Sequence, residues 1–457
     1  ISNLWVKDCR CSNKSHSFSN RDGDPAAAFR VCADGKTHSA EEYTGKFENV
    51  VVTETPHSAI YTTGGIKRPK LIVNACSLTV DARNEMYDTT NATIFHCAGN
   101  AFAISTYKLG AGSEISYNYI TSGTSYEGGH GIMIQGAWGT ETEPIEVHHN
   151  TLELHHGPNT FERRYGGDGK VEGLYMRWPA GNTQMSNQYV KFHNNTIKAY
   201  ADAHSDLTSG TLHTGSSVQA LRIHCDSGFH HNEFYNNRVF ALRADSLVDT
   251  GQVSMVCAMI GRMADDRPNK YSLGVLVEDV HSNVFKNNYY YSNGGTPLWL
   301  GSVSNHELGG GGLTLVGDTL YRADNADDST TVVFPHVGSY RYSSTGSRLV
   351  DCVFMGYSSD DDVVFNTITE DDDCRGKDLR FQRIVSVRVR DESAQAVNGA
   401  QVWITNNYGQ TVGNGYTNAS GWFEDTVTYK ALHYNSPNPC YWEDSLNYNN
   451  FTIKTRK

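Results

Sequence analysis

Apolar and polar residues alternate along this chain in short bursts. They do not recur at helical spacing. Ile145 and Val147 alternate on one side of a turn at Asn150, and Leu152 and Leu154 on the other. A period of two places apolar side chains on one face of a strand. One element recurs: Ile115-Ser-Tyr-Asn118-Tyr-Ile120, Val147-His-His-Asn150-Thr-Leu152, Phe192-His-Asn-Asn195-Thr-Ile197, Phe229-His-His-Asn232-Glu-Phe234 and Val280-His-Ser-Asn283-Val-Phe285. Copies carrying Asp follow at Leu315-Val-Gly-Asp318-Thr-Leu320 and Leu349-Val-Asp351-Cys-Val353. Between them lie further apolar segments, among them Gly131-Ile-Met-Ile134, Gly173-Leu-Tyr-Met176 and Ala220-Leu-Arg-Ile223. Each unit predicts a strand, a turn with Asn, a second strand, a loop and a third strand. No segment predicts a helix.

One such strand triplet cannot bury its apolar face alone, so the units must stack into a solenoid. Stacking sets equivalent residues about 4.8 Å apart. Asn118, Asn150, Asn195, Asn232 and Asn283 are therefore expected in one line, each amide serving the neighbouring coil. In that register His148, His193, His230 and His281 share one outward position, where imidazoles one coil apart suit a transition metal or a pH-sensitive face; an exposed stacked ladder without metal is the alternative. The pattern changes at Ile384. Val385, Val387 and Val389 alternate, Gly399-Ala-Gln-Val-Trp-Ile404 follows, and turns fall near Asn406 and Gly421. Short strands at this spacing predict a small β-sandwich. The expected fold is all-β: an irregular cap over residues 1–45, a parallel β-helix solenoid over 46–383 and a β-sandwich over 384–457.

The repeat resembles the right-handed parallel β-helix, or pectin-lyase-like, families. These include pectin-degrading enzymes and many bacterial and archaeal surface proteins. The C-terminal pieces Val397-Asn-Gly399-Ala400 and Thr417-Asn-Ala-Ser-Gly421 resemble the carboxypeptidase-regulatory-like, transthyretin-like modules of Ig type. That resemblance implies a connector or adhesion domain. Gly129-His130-Gly131-Ile132 resembles a segment of polygalacturonase-type hydrolases, whose later Arg-containing segment is approached by Arg177 or, more closely, Arg222. Such hydrolysis needs carboxylates to protonate the leaving oxygen and activate water. The coil before Gly129 offers Cys97-Ala-Gly-Asn100 and no Asp pair. Catalytic residues are thus left open, with His130, Arg177 and Arg222 as candidates, and His130 between two glycines reads also as a turn residue. A calcium-assisted lyase would draw on Asp360, Asp361 and Asp362, or on Asp371, Asp372 and Asp373; a solvated acidic cap is the alternative. Tyr175, Trp178, Trp299 and the run Tyr289-Tyr290-Tyr291 are candidates to stack sugar rings.

Composition narrows the class. With 38 Lys plus Arg against 50 Asp plus Glu, the net charge is −12, which argues against a nucleic-acid partner. No apolar run reaches the ~18 residues of a membrane-spanning helix. Ile1-Ser2-Asn3 lacks an initiator Met and reads as a processed or excerpted chain. Ten cysteines in a chain rich in Tyr, Asn and Gly suggest an oxidising, extracellular or cell-surface setting; reduced core thiols are the alternative. Spacing suggests bridges Cys76–Cys97, Cys225–Cys257 and Cys352–Cys374. Of the remainder, Cys9 pairs with Cys32, which leaves Cys11 and Cys440 for a head-to-tail joint between copies; a free Cys440 in the sandwich core is the other outcome. Sequons stand at Asn13, Asn91, Asn194, Asn418 and Asn450. The expected function is structural or adhesive: a subunit of an extracellular assembly that contacts glycans. The alternative is a lyase or hydrolase acting on an acidic polysaccharide in a β-helix groove.

Overall fold

The structure is a computed structural model. It describes residues 5–7, 27–33, 44–55, 58–64, 68–80, 87–88, 93–94, 102–122, 130–156, 170–177, 186–201, 216–223, 229–243, 253–260, 282–293, 296–300, 304–305, 313–323, 332–333, 342–343, 347–356, 378–434, 442–447 and 450–457. Among these residues every regular element is a strand. Among the described residues no helix is long and apolar enough to cross a membrane.

Three long sheets of ten, eleven and twelve strands carry the solenoid. One coil shows the plan. Ile145–His148 lies in the twelve-stranded sheet, Thr151–His156 in the ten-stranded sheet and Lys170–Arg177 in the eleven-stranded sheet. Each pairs in parallel with its counterpart in the next coil: Val190–His193, Thr196–Ala201 and Ser216–Ile223. Inward residues stack in register. Val147, Phe192, Phe234, Phe285 and Leu315 form one column, and Ile120, Leu152, Ile197, Val239 and Tyr290 another. All are buried in one continuous core. Burying a side chain of this size stabilises by about 1.5–3 kcal/mol.

The corner between the twelve- and ten-stranded sheets explains the recurring Asn. A residue in the left-handed region comes first: Tyr117, His149, Asn194, Asn236 and Asn287, with φ of 54–55°. The next residue forms the ladder. Asn150 Oδ1 accepts from the Asn118 backbone and amide nitrogens, and Asn195 Oδ1 does the same for Asn150. Asn150 Nδ2 donates to Ile115 O at 2.8 Å. The ladder then runs through Asn237, Asn288 and Asp318. This corrects the expected line. Asn232 and Asn283 belong to a second ladder at the corner entering the twelve-stranded sheet, where Asn232 Oδ1 accepts from Val190 N and Asn283 Oδ1 from Asn232 N. Both corners need an amide that bridges coils, so they look alike in sequence.

The free thiols are a further correction. Cys76, Cys257 and Cys352 are free. Cys76 and Cys352 occupy rungs of the first ladder: Cys76 N donates to Asn118 Oδ1, and Cys352 follows Asp318. Their Sγ atoms donate to Phe47 O and Leu315 O, the carbonyls an Asn amide would use there. Cys257 donates to Val239 O at 3.1 Å. A buried thiol thus serves as a small polar donor in a closed core. Cys97, Cys225 and Cys374, the expected partners, lie outside the described residues, as do Cys9, Cys11 and Cys440. Cys32 lies in strand Ala27–Ala33.

Parallel pairing also reaches into the segment expected as an irregular cap. Trp5–Lys7 pairs with Val51–Thr55, and Ala27–Ala33 with Ser58–Gly64. At the other end, strand Asp378–Arg388 crosses the expected boundary between residues 383 and 384. Its first half continues the solenoid by pairing with Ser347–Val350 in parallel, and its whole length pairs antiparallel with Trp422–Tyr434, with a bulge at Phe381/Gln382. The sandwich is completed by the antiparallel sheet of Gln401–Thr405, Thr411–Tyr416 and Thr452–Arg456. Val402, Ile404, Phe423 and Val427 form its core. Thr417 ties its turns together, accepting from Ala400 N and donating to Val397 O.

Candidate functional site

Two outer faces of the solenoid carry chemistry. The first lies on the eleven-stranded sheet and gathers three sequence candidates. His130 opens strand His130–Trp138 and is buried, so it is a strand residue and not a turn. Its ring stacks on Phe102 with centroids 4.5 Å apart. Gly131 follows because a Cβ there would stand 2.3 Å from Gly173 O, and one on Gly173 would stand 2.2 Å from Ala220 O. Gly131 of the Gly-His-Gly segment and Gly173 one coil on therefore serve close coil approach.

Glu172 N donates to His130 Nδ1 at 3.3 Å. That nitrogen is an acceptor, so the carboxylate 3.8 Å from it makes no ion pair with it. Glu172 instead binds Arg222, Nη1 to Oε1 at 2.5 Å. Arg222 lies over the Tyr175 ring at 4.7 Å. Phe102, Met133 and Tyr175 form an apolar cluster apart from the main core. Gln219 is in register with Glu172. The set is nearly closed: the Glu172 and Arg222 side chains are 6% and 8% exposed. Its one carboxylate is committed to a guanidinium, so the described cluster does not hold the two carboxylates of glycoside hydrolysis.

Glu172 and Gln219 were missed in the sequence. Aligning Gly131 with Gly173 would have set Glu172 beside His130. Arg177 lies at the end of strand Lys170–Arg177 in register with Gln135. Trp299 is in register with Met259, which itself pairs with Arg222. Trp178, Asp360, Asp361, Asp362, Asp371, Asp372, Asp373, Asn13, Asn91 and His281 lie outside the described residues. Asn194, Asn418 and Asn450 are exposed.

The expected histidine line is broken. His148 and His193 do stack, 4.9 Å apart and 9° from parallel, but the next rung is Tyr235. His230 stands at the other corner, in register with Gln188. His193 Nε2 lies 3.0 Å from Glu146 Oε2, while burial holds its imidazole below the usual range. Among the described residues no group of three or more His, Cys, Asp or Glu converges on a metal position.

The second face is the outer side of the ten-stranded sheet. Alternation splits the Tyr289-Tyr290-Tyr291 run: Tyr290 is fully buried, and its neighbours face outward, half-buried. Phe240, Tyr291 and Tyr321 lie in register, with Arg238 beside Tyr289. Ring centroids are 6.0 Å apart for Phe240–Tyr291 and 5.0 Å for Tyr291–Tyr321. The Arg238 guanidinium lies 5.6 Å from the Phe240 ring and 5.9 Å from Tyr289. Partial burial pushes the Tyr289 and Tyr291 hydroxyls up, which keeps them as neutral donors. Exposed Val353 and Met355 extend the strip by one coil. Nearer the N-terminus the same face is polar: Lys198 pairs with Glu153 at 2.8 Å, and the Tyr119 hydroxyl donates to Glu153.

No protein-family model, no curated protein and no solved structure matches the chain.

Proposed function

We propose that this chain is an extracellular structural and adhesive protein of pectin-lyase-like type. Its aromatic strip lies against an anionic glycan, and its C-terminal carboxypeptidase-regulatory-like module joins copies head to tail. The single observation that carries the glycan contact is the strip of Phe240, Tyr289, Tyr291 and Tyr321 on one outer face with Arg238 beside it. Rings half-exposed on a solenoid flank are not needed for the core, and contiguous apolar surface of this kind marks an interaction site. Tyrosines give flat apolar faces with polar tips, which suits the two-sided chemistry of a sugar ring. The guanidinium adds a partner for carboxylate or sulfate groups. The extracellular setting is supported by the exposed sequons; it draws nothing from Cys76, Cys257 and Cys352, which are free.

The test is equilibrium binding to a polyuronate and to a neutral glucan. The polyuronate should bind more tightly. Tyr291→Ala and Arg238→Gln should each weaken it about tenfold, which is ~1.4 kcal/mol. Equal binding by these variants would remove the strip from the reading.

One observation favours a catalytic reading. Arg222, Tyr175 and His130 are the residue types that neutralise a uronate and move its proton, and they sit together on one face. Their closure and the Glu172–Arg222 pair weigh against it.

A further inference from the structure

Two corners of the solenoid repeat one small arrangement. At His148–His149 the Nδ1 atoms of adjacent imidazoles stand 2.8 Å apart. At His230–His231 they stand 2.9 Å apart. The ring planes are almost perpendicular in both, at 88° and 87°. The second histidine of each pair has φ near 55°, which swings its ring back toward the first. Each is then held by stacking on a tyrosine, His149 on Tyr117 at 4.9 Å and His231 on Tyr189 at 4.7 Å.

In each pair one Nδ1–H donates to the other Nδ1, and a metal that displaces that proton would meet two nitrogens at the separation of a chelating bite. At an imidazole–metal distance of ~2.0–2.1 Å, a 2.8–2.9 Å separation subtends an angle of about 90° at the metal. A tetrahedral ion would need the nitrogens roughly 3.3 Å apart at the same bond length. Right-angle ligation by imidazole is the preference of square-planar and tetragonal ions, and affinity rises toward Cu(II). At the first corner, His148 Nε2 faces Glu114 Oε1 at 3.4 Å. A carboxylate behind the ring favours the Nε2–H tautomer, so His148 Nδ1 accepts from His149 Nδ1 and becomes a metal ligand when the His149 proton is released.

We propose that the His148–His149 and His230–His231 corners each chelate one divalent transition metal of right-angle preference, Cu(II) ahead of Ni(II). Among the described residues no third protein ligand converges there, so water or an external donor completes each site. These pairs differ from the single line of histidines that the repeat suggested.

The experiment is a Cu(II) titration of the full chain, read by calorimetry for stoichiometry and by paramagnetic resonance for nitrogen ligation. His149→Asn and His231→Asn are the variants. Asn already fills the left-handed position of the His149 corner at Asn194, Asn236 and Asn287, and at the His231 corner, where Tyr189 and Ser282 stand in equivalent places, Asn is a residue type that adopts this conformation readily; unchanged melting midpoints verify this. Each single variant should lose one equivalent of tightly bound Cu(II), and the double variant two. Histidines elsewhere remain in every variant and cancel in the difference. The spectrum lost should carry coupling to two nitrogens. A double variant that binds as many equivalents as the parent overturns the proposal, as does a parent chain that binds no Cu(II).

Discussion

Asp318 occupies a rung of a ladder whose other named rungs, Cys76, Asn118, Asn150, Asn195, Asn237, Asn288 and Cys352, are Asn or Cys. Its Oδ1 does what an Asn oxygen does, accepting from Asn288 N at 2.6 Å and from Asn288 Nδ2 at 3.2 Å. Its Oδ2 is buried and without a hydrogen bond. In the neighbouring rungs that position is a donor: Asn288 Nδ2 gives to Phe234 O, and Asn237 Nδ2 to Phe192 O. The matching carbonyl for Asp318 is that of Phe285. An ionised carboxylate would have no proton to offer there, and burial pushes the Asp318 carboxyl up to about 8. An unfolded Asp titrates near 3.9. Between about pH 4 and pH 8 the native chain therefore holds a proton that the unfolded chain has lost. Stability contributed at this rung falls as pH rises through that window and is flat above it. At pH 7 the cost is on the order of 4 kcal/mol, from about three pH units at 1.36 kcal/mol each. Asp318→Asn removes the ionisation and supplies the missing donor. The variant should be more stable than the parent by roughly 2–4 kcal/mol at pH 7 and nearly equal to it at pH 3. Denaturant unfolding of both chains at pH 3, 5, 7 and 8.5, followed by circular dichroism, gives the difference at each pH. A difference that does not grow with pH would refute the reasoning.

Two further outcomes follow from the ladder and its thiols. Asn195→Leu removes the acceptor for both Asn150 nitrogens and the donor to Val147 O, and should cost about 2–4 kcal/mol in the same unfolding assay. Cys257 is fully buried and burial pushes its thiol up, so it should resist a maleimide in the native chain and react on unfolding; rapid native labelling at Cys257, read by peptide mass, would contradict its place in the core.

The solenoid was legible because its two demands leave marks in the sequence. A stacked core needs alternating apolar residues, and a tight corner needs a left-handed residue followed by an amide. Those marks are local, and this is why Asn232 was placed in the wrong ladder. Phe229-His-His-Asn232 and Val147-His-His-Asn150 have the same local chemistry, and only the partner across the coil, Val190 N for Asn232 and Asn118 N for Asn150, separates them. The same limit applies to Cys76 and Cys352. Each follows a left-handed residue, Ala75 or Asp351, as the ladder Asn residues do, yet spacing between cysteines suggested bridges. His130, Tyr175 and Arg222 could be picked out one by one, but their meeting depends on strand register. The aromatic strip was half legible: the tyrosine run was visible, but Phe240 and Tyr321 join it only through coil stacking.

The central claim is that the chain holds an anionic glycan without cleaving it. Incubating the purified protein with a polyuronate and following bound protein, reducing ends and the ultraviolet absorbance of unsaturated uronate in one sample tests this directly. Saturable binding with no growth of either product signal is the expected result. Product that accumulates with time and disappears in Arg222→Gln would contradict the claim and move the function to the His130–Glu172–Arg222 face.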